Sequence, residues 1–224
     1  MLSFQDFFAA CTGQWTTERI YHYMPDGEIE RSFTDFRVQG LTQGEKEAVL
    51  ATVNLSHPAA NPTELAAGPT FALDWQQVTL EQLPGFAIAF DTRSETGETV
   101  SMSLKALFIA EAWVLAGPER PPMPVMPPAA QVPYQSDIEL IRGFYLRDEG
   151  YSEQGAIAGY FTYQPTRQTL EMTTYYRRSV AVDQMRFLAP NLRARTIVTY
   201  QRPSGDELPT AIRLIGFGVE QRQP

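Results

Sequence analysis

From Trp15 onward, apolar and polar residues alternate in short runs bounded by Gly, Pro, Asn and Asp, which is the period of half-buried β-strands. The clearest run is 100–108, where Val100, Met102, Leu104, Ala106 and Phe108 alternate with Ser101, Ser103 and Lys105 behind a turn at Glu95-Thr96-Gly97-Glu98. Residues 19–23 and 33–38 flank a turn at Pro25-Asp26-Gly27 and read as a hairpin. The same reading predicts strands at 48–55, 71–78, 86–90, 139–147, 156–163, 169–176, 192–201 and 210–220. Residues 179–188 fit either a strand or a short helix capped by Ser179. Only the N-terminus has a clear helical period: Phe4, Phe7, Phe8 and Cys11 follow a Ser3 cap, with Asp6 at the capping-box position and Gly13 as the stop.

About ten short strands and one helix indicate an all-β protein, an antiparallel barrel or sandwich, with one closed barrel over 1–224 the simpler choice. Residues 117–137 carry seven prolines, which cannot donate into a ladder, and are expected to form an internal loop of that single domain rather than a linker. Aromatic residues make up 12% of the chain, which suits aromatic-lined strands or a pocket. A net charge of −8 with no basic block excludes nucleic acid as a partner. No apolar run reaches the roughly 20 residues that cross a bilayer, so no membrane insertion is expected. One cysteine and no basic, apolar leader point to a reducing, cytoplasmic setting.

Familiar catalytic signatures are missing. His22 and His57 are far apart in sequence with no cysteine cluster, so no metal is expected. There is no GxSxG, no GxxxxGK[ST], and Gly216-Phe217-Gly218 lacks the third glycine of a dinucleotide loop. Cys11 falls on the apolar stripe of the helix and reads as packing. What remains is Arg193 and Arg195, which share one face of a β-branched run with Ile197 and offer planar forks to carboxylates. Asp183 lies ten residues before Arg193, across a turn at Ala189-Pro190-Asn191. Periodicity leaves their direction open, because Leu192, Ala194, Val198 and Tyr200 make an equally reasonable core face.

The strings LRDEGYSEQGAIAGYFTY (146–163) and FLAPNLRART (187–196), with FFAACTGQWTTERIYHYM (7–24) at the start, resemble the S-type phycobiliprotein lyases, the CpcS/CpeS family. Their signatures are LRxxGYAE…GxY, WFAxPNLRxRT and FF…GxWxxxRxxxHxx. The resemblance implies a ten-stranded lipocalin-like barrel closed at one end by the N-terminal helix. It implies an enzyme that binds a phycobilin as substrate, with no resident cofactor, and attaches it to a cysteine of an apo-phycobiliprotein subunit. Thioether formation adds that partner thiol across the ring A ethylidene double bond, so the lyase orients and protonates rather than attacks. On the same resemblance Asp183, Arg193 and Arg195 are the catalytic residues, the arginines for propionates and the acid for the pyrrole nitrogens. Arg19, His22, Trp75, Tyr151 and Arg186 are candidate bilin-binding residues.

The chain departs from the pattern in places. Asp183 stands where the family has glutamate, Arg186 where it has tryptophan, and Tyr23 where it has a second histidine. Such a divergent member fits transfer as a homodimer, or as a heterodimer with a related lyase in the manner of the U-type relatives. Two other readings predict different structures or behaviour. A non-catalytic, lipocalin-like carrier or chaperone of a bilin or another hydrophobic anion takes up ligand without transferring it, and an assembly protein fills its barrel with its own side chains.

Overall fold

The computed structural model describes residues 1–55, 72–115, 124–131, 139–151, 153, 155–205 and 207–224. Helix α1 (Phe4–Cys11) leads into ten strands: β1 (Gly13–Tyr23), β2 (Ile29–Gly40), β3 (Gly85–Ser94), β4 (Thr99–Ala110), β5 (Ile141–Arg147), β6 (Ile157–Gln164), β7 (Thr169–Tyr175), β8 (Ser179–Ala189), β9 (Leu192–Gln201) and β10 (Ile212–Arg222). Every strand pairs antiparallel with its neighbour in sequence, and β10 returns to β1 to close the barrel. Closure removes the unpaired edges that an open sheet presents. The turns use the expected glycines, with Gly27 at φ +71° and Gly97 at φ +90°.

The α1 helix forms as its sequence dictates. Ser3 Oγ accepts from the Asp6 amide at 3.1 Å, and Phe4, Phe7, Phe8 and Cys11 are buried. Phe7 packs edge-on against Phe187 of β8, Phe8 meets Phe86 of β3 and Phe108 of β4, and Phe4 stacks on Phe161 of β6. These are inward-facing residues from around the barrel, so α1 is the plug of one end.

Two predicted strands are not strands. Residues 48–55 belong to a second helix, α2 (Gln43–Leu55), because Thr42 and Glu45 form a reciprocal capping box: the Thr42 amide and hydroxyl both donate to Glu45 Oε2 at 2.9 Å. The short apolar run from Ala48 to Val53, with β-branched Val49, Thr52 and Val53, reads as a strand in isolation and hides that signal. In 71–78, Phe71 lies outside the described residues, Leu73 makes one bridge to Val114, and Asp74 turns the chain by accepting from the Gln76 amide at 3.0 Å. The ambiguous 179–188 segment is the strand β8.

The outer face of the barrel wall is apolar and covered in two places. Val49 of α2, with Leu73, Val78, Leu83 and Val114, covers the outward Leu107, Ile109, Phe144 and Leu146 of β4 and β5. Part of the proline-rich segment, 124–131, lies outside β7–β9, where Ala130 packs with Val180, Val182 and Tyr200. Gln184 fixes this strap, donating to the Ala129 carbonyl at 3.2 Å and to Glu171 at 2.7 Å. The expectation that 117–137 is a loop within one domain remains our proposal, since 116–123 and 132–138 lie outside the described residues.

Burial pushes the Glu171 carboxyl up to about 7, against the Gln184 amide that favours its charged form. A folded-state value above the unfolded one means the native protein binds the proton more tightly. Glu171 therefore withdraws stability as pH rises from the ordinary carboxylate range through about 7. Urea titrations at pH 5 and pH 8 are expected to show wild type losing roughly 1–3 kcal/mol over that interval relative to Glu171→Gln. Parallel pH profiles for the two proteins are the contrary outcome.

Candidate functional site

A cavity of about 380 Å³ fills the barrel between the α1 plug and the opposite end. That volume is in the range of ligand pockets, and its walls combine apolar Val38, Phe86, Ile88, Leu104 and Met172 with a few convergent charges. Arg193, Arg195, Ile197 and Thr199 of β9 all line it. The arginine face is therefore the inner one. Leu192, Ala194, Val198 and Tyr200 face outward, and the apolar end of that row lies under the 124–131 strap.

The deepest charge is Glu220 on β10, which has no exposed surface. It pairs across the ladder with Arg193, whose Nη2 lies 2.7 Å from Oε2. Arg19 from β1 reaches Oε1 at 3.2 Å and Arg195 approaches the same oxygen at 3.5 Å. Gly218 makes this convergence possible, since it sits directly between Arg19 and Arg195 in the ladder. A Cβ there would stand 2.6 Å from the Glu18 carbonyl and 3.0 Å from Arg19 Cγ. Gly216 likewise makes room for the Tyr21 ring, so the Gly-Phe-Gly string that has no nucleotide role has a packing one. Burial opposes ionisation of Glu220, but the charges of Arg193, Arg195 and Arg19 outweigh it and hold the carboxyl below its usual range.

Arg195 also grips Asp183 on β8. Its Nε donates to Oδ1 at 2.9 Å and to Oδ2 at 3.2 Å, and Nη2 contacts Oδ2. The two residues are offset by one ladder step, Arg195 facing Met185 and Asp183 facing Ile197, so the fork runs diagonally. A carboxylate has about four lone-pair sites, so Asp183 keeps acceptor capacity towards the cavity. Arg193 is fixed from below by Trp15, whose ring centroid is 4.0 Å from the guanidinium carbon and whose indole N–H donates to the Cys11 carbonyl at 2.9 Å.

Towards the open end stands a second group. Arg147 of β5 is flanked by the rings of Tyr151 at 4.7 Å, Tyr145 at 5.8 Å and Tyr176 at 5.9 Å. Tyr145 lies over Gly159, where any Cβ would be 2.3 Å from the ring, and its hydroxyl contacts Thr174. Tyr151 is 46% exposed and also meets Phe90, which places it at the mouth.

Of the residues singled out in the sequence, the structure gathers Asp183, Arg193, Arg195, Arg19 and Tyr151 around the cavity. His22 points outward, stacked on Phe217, and His57 lies outside the described residues. Trp75 is in an exposed turn, and Arg186 lines an outer groove with Arg167 and Gln164. Strand parity accounts for His22 and Arg186: each lies three residues, an odd number, beyond an inward residue, Arg19 and Asp183 respectively. Glu220 and Arg147 were not identified from sequence. Glu220 follows Gly216 and Gly218 at period two, and Arg147 shares its string with Tyr145 and Tyr151, so inward parity was the available signal for both.

Among the cavity's charges, Arg19, Arg147, Arg193 and Arg195 face only Asp183 and Glu220, a surplus of two positive charges in a chain of net charge −8. No helix of the described residues is long and apolar enough to cross a membrane.

Comparisons with known proteins agree on the family. The CpeS-like protein family model matches residues 3–82 and 129–223. The chain is 37% identical over 219 residues to chromophore lyase CpcS/CpeS 1 of Synechococcus sp. (strain JA-3-3Ab), covering 98% of this chain and 96% of the relative. The S-type phycobiliprotein lyase CPES from Guillardia theta has the same fold, with a TM-score of 0.60 at 16% identity, over 100% of this chain and 94% of that one. The lipocalin-like, ten-stranded barrel with its N-terminal helix, and a matched length that takes in the arginine strand and Glu220, place this chain in the CpeS-like family of chromophore lyases.

Proposed function

We propose that this protein is a chromophore lyase that binds an open-chain tetrapyrrole and attaches it, through a thioether, to a cysteine of a phycobiliprotein subunit. The observation that carries the reading is the cavity itself: apolar walls with a surplus of two positive charges, inside a chain 37% identical to a named chromophore lyase. A bilin is a flat apolar chain bearing two propionates, and its protonated pyrrole system adds a cation that a carboxylate can face. A barrel packed solid with its own side chains does not fit this volume.

Arg193 and Arg195 supply guanidinium edges for a propionate, with their geometry set in advance by Glu220, Trp15 and Asp183. Asp183 offers its remaining acceptor capacity to a pyrrole N–H. In the transfer step the acceptor's S–H adds across the ethylidene double bond: sulfur bonds to one carbon and the proton ends on the other. Holding the bilin protonated lowers the barrier to that addition, and the apolar wall keeps water from competing. The phycobilin and the acceptor subunit are substrates, and a second copy or a related lyase belongs to the same reading where the protein works as a dimer.

Co-expression with a bilin source and an apo-phycobiliprotein subunit is expected to give a subunit that stays coloured in denaturing gels. Arg193→Ala is expected to cut that covalent yield by at least about tenfold, consistent with the loss of one charge-assisted contact. No coloured adduct from wild type with any subunit tested, or full yield from Arg193→Ala, counts against the assignment.

Removing Glu220 separates its structural part from the ligand's. Glu220→Gln leaves buried Arg193 and the largely buried Arg19 and Arg195 facing one remaining carboxylate, and is expected to destabilise the free protein by about 3 kcal/mol. A dianionic ligand replaces part of the missing charge, so saturating bilin is expected to raise the melting temperature of Glu220→Gln more than that of wild type. Equal shifts in differential scanning calorimetry would show that the ligand's carboxylates do not reach this cluster.

A further inference from the structure

Among the described residues, Arg147 is a buried cation with no counter-charge. Its side chain is 5% exposed, and among the described residues no carboxylate pairs with it. The acids beside it in sequence are engaged elsewhere: Asp148 accepts from the Lys105 amide at 2.6 Å, and Glu149 accepts from the Gly155 amide at 3.0 Å. One nitrogen, Nη2, donates to the Tyr176 hydroxyl at 2.7 Å, while Nε is buried with no partner. A buried guanidinium left in this state costs several kcal/mol unless something anionic completes it.

The surroundings look built for such a completion. Tyr145, Tyr151 and Tyr176 line the cavity with Arg147 and present ring faces that tolerate a cation without neutralising it. Arg147 stands four strands round the barrel from Arg193. It is near the mouth, whereas Arg193 is next to the α1 plug and pairs with Phe187 in the ladder. Arg193 has Glu220 and Arg195 has Asp183, so Arg147 is the cavity arginine that lacks an acid among the described residues.

We propose that Arg147, held by Tyr145, Tyr151 and Tyr176, is a second carboxylate subsite that takes one propionate of the bound tetrapyrrole. The guanidinium hydrogens not used by Tyr176 are the donors, and the Arg193–Arg195 cluster is a separate anchor deeper in the barrel. This assignment rests on the bilin reading above. It makes Arg147 a determinant of diacid over ester ligands, a distinction an apolar pocket alone draws weakly.

Biliverdin and its dimethyl ester differ only at the propionates and serve as probes, with binding followed by absorbance titration. Wild type is expected to prefer the diacid. Arg147→Gln is expected to weaken diacid binding about 10- to 100-fold while leaving ester affinity within about twofold of wild type. Arg147→Lys, which keeps the charge but loses the fork, is expected to fall between them. Should Arg147→Gln fail to fold, the Arg147→Lys titrations decide on the same criterion. Equal weakening of both probes assigns Arg147 to the wall of the barrel and overturns the subsite alone. Binding of neither probe by folded wild type overturns the bilin reading and the subsite together.

Discussion

A carboxylate sealed from water organises the inner wall of this barrel. Glu220 is fully buried, and in a low-dielectric interior it is tolerable only because Arg193, Arg195 and Arg19 converge on it. That requirement reaches outwards through the sequence. It fixes the register of β1, β10 and β9, since Arg19 and Arg195 must flank the same glycine, and it keeps Gly218 and Gly216 free of side chains. It also leaves part of the guanidinium donor capacity unconsumed beside the cavity that these residues line. Arg19 and Arg193 each keep a buried Nε without a partner. The network thus orients its arginines without neutralising them, as an anion-binding wall demands.

The barrel and the plug were legible in the sequence because alternation and capping are local signals. Ser3, Gly27 and Gly97 do what their positions dictate. The failures come from non-local cover. Residues 48–55 are an apolar run with β-branched Val49, Thr52 and Val53 that reads as a strand in isolation, yet the capping box at Thr42 and Glu45 starts a helix there. Leu107, Ile109, Phe144 and Leu146 are apolar on an outer face because α2 and the 73–83 segment lie on them, and one chain's periodicity cannot announce a cover that comes from elsewhere.

The direction of Arg193 and Arg195 is the sharpest instance. Val198 and Tyr200 offered an apolar face for the core, and they are indeed packed, but under the 124–131 strap outside the barrel. Both faces of β9 are therefore occupied, one by apolar cover and one by a charged cavity wall. Periodicity alone cannot rank two occupied faces. The family resemblance chose the inner face for the arginines, and the geometry agrees with it. Parity then sorts the remaining candidates: Arg19 falls inside, and His22, three residues on, falls outside against Phe217.

A cavity that orients a bilin for attack by a partner's thiol must not offer a competing thiol of its own, and the chain's single cysteine lines that cavity. Cys11 is nevertheless fully buried at the plugged end, beneath Trp15 and beside Arg193. Burial raises its pKa, and the pull of Arg193 in the other direction does not overcome that. The thiolate, the nucleophilic form, is thereby suppressed at the one place where self-capture of the ligand would be easiest. The same packing that makes α1 a plug keeps the transfer chemistry directed at the acceptor.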